Sequence, residues 1–273
     1  MTYDDTPVGL AILGGALKRL REAAGLTQAQ LAQKTSYSRS QVNNTENVVR
    51  LPSIHFIAAC DEALGTGDLL SGILAEALRD SLPSWAVELA KAESDTVAIR
   101  HISTTFFPGV VQTRSYARNV LNAVSLAGLD DDELDSRVEL RMRRREILTS
   151  GKLRSYHVIL DEAVLRRVVG GPEVLREQIE HLLSLIRQRL VTVQVFPFTA
   201  GQHAATAAVM IMELENGDLV AYEEGLVTYE TTGHPPTVRA CVERFDALRS
   251  QALSVQESVH LIEARLEEMN RDE

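Results

Sequence analysis

A chain of 273 residues, 45% hydrophobic and 24% charged, has the apolar content of a globular protein with one large core or two ordinary ones. No apolar run is long enough to cross a bilayer, and the opening Met1-Thr2-Tyr3-Asp4-Asp5 lacks the basic and apolar regions of a secretory signal. The net charge of −10 argues against a general affinity for nucleic acid, but that charge is unevenly placed.

From Ile12 to Pro52 stand six basic residues and two acidic ones, a balance of +4, so the rest of the chain carries −14. This predicts a small basic module attached to an acidic body. In the module, Leu13, Leu17, Leu20 and Ala24 recur at helical spacing, and Gly25 ends that first helix. Thr27 with Gln30 three residues on forms a capping box for a second helix, Gln28 to Lys34, with Leu31 and Ala32 inward. Thr35-Ser36-Tyr37 makes a turn, and Ser38 caps a third helix, about Arg39 to Asn47, with Val42 inward. Pro52 and Ser53 start a fourth, whose apolar stripe is Ile54, Ile57, Ala58 and Leu64. Two short helices joined by a tight turn and braced by others read as a helix-turn-helix.

The stretch "LKRLREAAGLTQAQLAQ", followed by Ser38, Ser40, Val42 and Glu46, resembles the phage-repressor (XRE-like) class of helix-turn-helix domains over about Leu13 to Leu70. The resemblance implies a third helix in the major groove, with Arg39, Ser40, Gln41, Asn43 and Asn44 toward the bases and Gln28 and Ser38 toward phosphates. Arg suits guanine edges, and Asn or Gln suits adenine. Glu46 is read as a structural acid. The chain departs from that pattern at Ser36 and Val48, where relatives carry Gly at or near those places, and at Thr45, where they carry an apolar residue. Arg39 is the one cation between Thr35 and Asn47, which predicts weak non-specific binding helped by a second copy of the chain.

The body begins with "LPSWAVELAKAES", a helix that Trp85 anchors to a core. "TVAIRHIS" alternates as a strand, and a turn leads to a helix from about Gln112. "DDDELDSRVELRMRRREILTSG" is a long helix with acids first and bases later, as the macrodipole favours. Its Arg137, Arg141, Arg144 and Arg145 form a stripe read as a solvated or salt-bridged face, with a partner surface as the alternative. "LRSYHVIL" reads as a strand, "DEAVLRRV" as a short helix capped by Asp161, and "GGPEVLREQIEHLLSLIRQRL" as a helix opened by Pro172. "VTVQVFPF", "AAVMIMEL" and "LVAYEE" are strands, the last two joined by an "ENGD" hairpin turn, and "LVTYET" adds one more. Helices about Pro236 to Ala252 and Ser254 to Met269 close the chain. The fold class is α+β: an all-α helix-turn-helix domain, 1–80, then a domain, 81–273, with a small mixed sheet wrapped by helices.

"FFPGVVQTRSYA", "RVELRMRRREIL", "LDEAVLRRVVGG", "VQVFPFTAGQH" and "ALSVQES", in that order, resemble the C-terminal domain of actinobacterial WhiJ-type regulators. The resemblance implies a regulator of development or antibiotic production paired, in antitoxin-like fashion, with a small protein encoded nearby, and the reading is of a dimeric cytoplasmic protein. No catalytic arrangement is expected: Asp161 and Glu162 are adjacent and diverge, and Gly170-Gly171 reads as a turn. No metal ligands and no cofactor are expected either. The alternative to a protein partner is a small-molecule effector bound near Gln112, Gly201 and His203, with Arg141 and Arg144 as further candidate contacts. Cys60 and Cys241 read as buried reduced thiols.

Overall fold

The computed structural model describes residues 8–49, 52–80, 84–125, 131–201, 205, 207–225 and 229–271. They group into two compact units, Met1–Ser84 with Ala127–Glu139, and Trp85–Leu126 with Leu140–Glu273. The overall class is α+β.

The first unit contains α1 (Val8–Ala23), α2 (Gln28–Thr35), α3 (Arg39–Glu46), α4 (Ile54–Leu64) and α5 (Leu69–Asp80). Leu13, Leu17, Leu31, Val42, Phe56, Ile57, Cys60 and Leu74 form its interior. The capping box of α2 is complete: Gln30 N donates to Thr27 Oγ1 at 3.2 Å, and Thr27 N donates to Gln30 Oε1 at 2.8 Å. Ser38 and Ser53 cap α3 and α4 by accepting from Gln41 N and Phe56 N, both at 3.1 Å. Each cap satisfies a donor that the first turn leaves without a partner.

Two expectations for the module change. Ala24 lies beyond the end of α1 and is exposed, and Ala58 is exposed on α4. The inward side of α4 keeps Ile57 and adds Phe56, Cys60 and Asp61, while Ile54 and Leu64 are half-buried. Asp61 reaches the start of α5, accepting from Leu70 N at 2.9 Å and Ser71 N at 2.8 Å. Burial works against its charge, but these bonds and the Thr66 hydroxyl outweigh that and hold its carboxyl below the usual range. Gly14 marks a close approach of α1 to α3: a Cβ there would stand 2.7 Å from Thr45 O and 2.9 Å from Glu46 O, so only glycine lets α1 lie on the end of α3.

The second unit runs α6 (Ser84–Ser94), β1 (Thr96–Ser103), a 3-10 turn (Gly109–Val111), α7 (Arg114–Val124), α8 (Asp131–Arg143), a 3-10 stretch (Arg144–Leu148), β2 (Ser155–Asp161), α9 (Glu162–Arg166), α10 (Pro172–Arg187), β3 (Thr192–Phe196), a 3-10 turn (Phe198–Ala200), β4 (Ala208–Leu214), β5 (Leu219–Glu224), β6 (Tyr229–Thr232), α11 (Pro235–Gln251) and α12 (Val255–Arg271). The side chain of Trp85 lies outside the described residues. Residues 131–139 of α8 belong to the first unit and the remainder to the second.

The sheet has six strands in the order β3-β2-β1-β4-β5-β6. β1, β2 and β3 are parallel, as α7, α8 and α10 in their connections allow, while β4, β5 and β6 pair antiparallel through hairpins. One face carries Val158, Leu160, Val193, Val195, Met210 and Met212 under α10 and α12. The other carries Ile102, Ile159, Val209 and Ile211 under Phe245 and Leu248 of α11. Buried strands with an apolar face on each side explain their nearly continuous apolar sequence.

Candidate nucleic-acid interface

The phase of α3 sorts its side chains. Gln41, Val42, Thr45 and Glu46 face inward and are buried, whereas Arg39, Ser40 and Asn43 are exposed and Asn44 is half-buried. Gln41 therefore differs from the other residues expected at the bases: at about 100° per residue it shares the inward side with Val42 and Thr45. Gln28, Arg39, Ser40 and Asn43 line one open concavity of about 370 Å³. Ser38 sits at the N-terminus of α3, its oxygen engaged by the cap.

What holds this face is an ion pair that the sequence reading missed. Arg21 of α1 donates to Glu46 of α3 through Nε at 2.5 Å and Nη2 at 3.0 Å, and through Nη1 to Leu26 O at 2.8 Å. The hydrogen bond to Glu46, set against burial, holds the guanidinium above its ordinary pKa. Gln28 Nε2 also donates to Glu46 Oε2, at 2.9 Å. One acid thus ties the starts and ends of three helices, in keeping with the structural reading of Glu46. The available signal was phase: Arg21 follows Leu13 and Leu17 on the apolar stripe.

The turn residues that depart from the XRE pattern share a conformation. Ser36 has φ 60° and Val48 φ 55°, the left-handed region that glycine adopts freely.

The expected arginine stripe is dispersed. α8 ends at Arg143 and gives way to tighter 3-10 winding, which rotates Arg144 and Arg145 away from it. Arg137 is exposed and pairs with Glu133 at 2.7 Å. Arg145 Nη2 lies 2.8 Å from His181 Nε2. Arg144 grips Glu93 through two nitrogens, at 3.1 and 2.5 Å. Arg141 Nη1 donates to Gln112 Oε1 at 3.2 Å, and Gln112, itself buried, donates to Phe107 O at 2.7 Å.

So the structure joins Gln112 with Arg141. Gly201 is exposed at the end of the Phe198–Ala200 turn, and no hydrogen bond among the described residues links its loop to Gln112; His203 lies outside the described residues. The cavity at that end of the other sheet face, lined by Ile102, Ile159, Phe196 and Leu248, holds only about 10 Å³, far below ligand size.

Beside Arg144, His101 Nδ1 and Tyr156 Oη share a hydrogen bond of 2.9 Å, and burial, then Arg144, press the imidazole down to about 3. Asp161 caps α9 by accepting from Ala163 N at 2.7 Å, while Glu162 pairs with Arg166. Both carboxylates have structural work. No group of His, Cys, Asp or Glu arranged to hold a metal is found among the described residues, and no described helix is long and apolar enough to cross a membrane. Cys60 is buried and free, its thiol pushed up to about 12 by burial and by the charges of Asp61 and Glu46; Cys241 is half-buried and free.

Comparison with family models matches residues 12–71 to a helix-turn-helix domain and residues 87–264 to a domain of unknown function (DUF5753). Comparison with curated proteins and with solved structures gives no match. The second model spans more than half the chain, and the first falls on the module whose α2 and α3 were described above. The chain belongs to the DUF5753 family and carries an N-terminal helix-turn-helix domain of the kind found in DNA-binding regulators.

Proposed function

We propose that this protein is a sequence-specific, XRE-type transcriptional regulator that binds double-stranded operator DNA in the cytoplasm as a homodimer. The observation that carries the reading is the outward face of α3, where Arg39, Ser40 and Asn43 share one concavity with Gln28. Arg39 would read a guanine edge and Asn43 an adenine edge, with Gln28 and Ser38 against phosphates. Asn44, half-buried, stands at the margin of that face, and Gln41 would reach a base only by leaving its buried position.

The body, in this reading, is WhiJ-type and antitoxin-like, and receives a small protein encoded nearby. The partner would favour one arrangement of the dimer and so set whether two recognition helices stand roughly 34 Å apart, as successive half-sites require. No reaction, metal or cofactor is assigned to the chain. The test is binding to the protein's own promoter across a salt series, with and without the product of the neighbouring small gene. Specific binding that the partner alters supports the whole reading; absence of specific binding in both states overturns it.

A second reading makes the body a small-molecule sensor. It is favoured by one observation, the half-buried Arg141 that faces a neutral amide rather than an acid. Specific operator binding that ignores the partner shifts the balance to it.

A further inference from the structure

We infer that the body binds a small oxyanion, a carboxylate or a phosphate, at Arg141 beside the carboxyl end of β1. The inference deepens the sensor reading and rests on it only for its regulatory consequence.

The argument starts from unequal treatment of two neighbouring cations. Arg144 is neutralised by a two-point bond to Glu93. Arg141 has one hydrogen-bond acceptor among the described residues, the amide oxygen of Gln112. Yet the chain outside Ile12–Pro52 carries −14, so acids to pair with it are plentiful. A half-buried guanidinium without an ion pair is costly, and most of its N–H donors meet no acceptor among the described residues. Gln112 does not drift to accommodate it: the amide is buried and its nitrogen is fixed on Phe107 O.

The surroundings bring a second cation close. Both guanidinium groups approach Gly109, where a Cβ would stand 3.8 Å from Arg141 Nε and 4.0 Å from Arg144 Nη1. Across the sheet, His101, Met210 and Tyr222 stand in one row, and Glu224 and Tyr229 stand opposite each other in the next row of that face. Tyr222, Glu224 and Tyr229 act electrostatically on Arg141, and Glu224 does so without reaching ion-pair distance. Burial, and then the like charge of Arg144, hold Arg141 down to about 10; it stays protonated at neutral pH, and an anion would relieve both effects.

The test is thermal unfolding of the full-length protein at constant ionic strength, with inorganic phosphate and malonate as probes. Wild type, Arg39→Ala and Arg137→Gln should each show a saturable rise in Tm. In Arg141→Gln the concentration for half-effect should rise about tenfold or more, as expected for loss of one charge-assisted bond. Should Arg141→Gln fail to fold, Arg141→Lys carries the test, because a point charge replaces the fork and weakens the same response.

No saturable rise in wild type overturns the inference. So does an unchanged half-effect in the Arg141 variant that folds, or loss of the response in Arg39→Ala, which would place the anion on the helix-turn-helix. No DNA is present in this assay, so failure here is read separately from failure of operator binding.

Discussion

Arg21 and Glu46, 25 residues apart in the chain, are locked together by two nitrogen–oxygen contacts between α1 and α3. α3 is therefore held by a charge pair as well as by Val42. Removing one partner leaves the other buried and alone, so Glu46→Gln or Arg21→Met should cost about 3–5 kcal/mol of module stability. Replacing both by methionine should cost much less. Denaturant unfolding of the two single variants and the double variant measures this. Single-variant losses near the ~1 kcal/mol of an exposed pair would show that the brace is unimportant.

Arg39 is exposed and has no structural duty comparable to Arg21. Arg39→Ala should leave the unfolding curve in place, weaken operator binding by about 1–3 kcal/mol and relax selectivity at one base pair. Gln41→Ala should do the reverse, lowering stability more than selectivity, because Gln41 is buried. Competition binding against a panel of single-base operator variants separates the two. Full affinity and selectivity in Arg39→Ala would remove α3 from the groove.

Val48 and Ser36 hold left-handed backbone without being glycine. A β-branched residue there is strained by about 1–2 kcal/mol, and a serine somewhat less. Val48→Gly and Ser36→Gly should each stabilise the module, by about 1 kcal/mol or less after the extra freedom of the unfolded chain is subtracted. A fall in denaturation midpoint for Val48→Gly would mean that the valine side chain matters more than its backbone.

His101 makes stability depend on pH. Its folded pKa, about 3, lies below the unfolded value, so between those two values the unfolded chain binds a proton that the folded chain refuses. Stability is complete above the ordinary histidine range, near 6.5, and falls as pH drops toward 3, by at most about 1.4 kcal/mol per unit before solvent screening. His157 and His181 are also held down, chiefly by burial, and act in the same sense. His101→Gln should therefore flatten, without abolishing, the slope of unfolding free energy between pH 5 and 7. An unchanged slope would show that His101 is accessible to protons in the folded state.

Much of this architecture was readable because its signals are local. Thr27, Ser38 and Asp161 sit where a cap belongs, and "TVAIRHIS" coincides with β1 because alternation and turn residues mark both ends. Long-range partners were not readable. Nothing near His101 in the chain announces Tyr156, since the two sit on neighbouring strands 55 residues apart in the chain. The end of α8 at Arg143 was missed because its sequence keeps helical character while the backbone tightens. Burial also separated residues alike in composition: Asn43 and Gln41 read the same in sequence, but a rotation of two residues puts one outside and the other inside.

The grouping of residues 127–139 with the N-terminal helices bears on how such proteins can be recombined. A joint made after residue 84 would leave Leu134, Ser136 and Val138, all buried, in the wrong partner of a chimera. It would also strand Pro52 O without the Ser136 hydroxyl that lies 3.5 Å from it. The helix-turn-helix unit is thus not an exchangeable cassette: moving it between relatives requires moving two separate pieces of sequence at once.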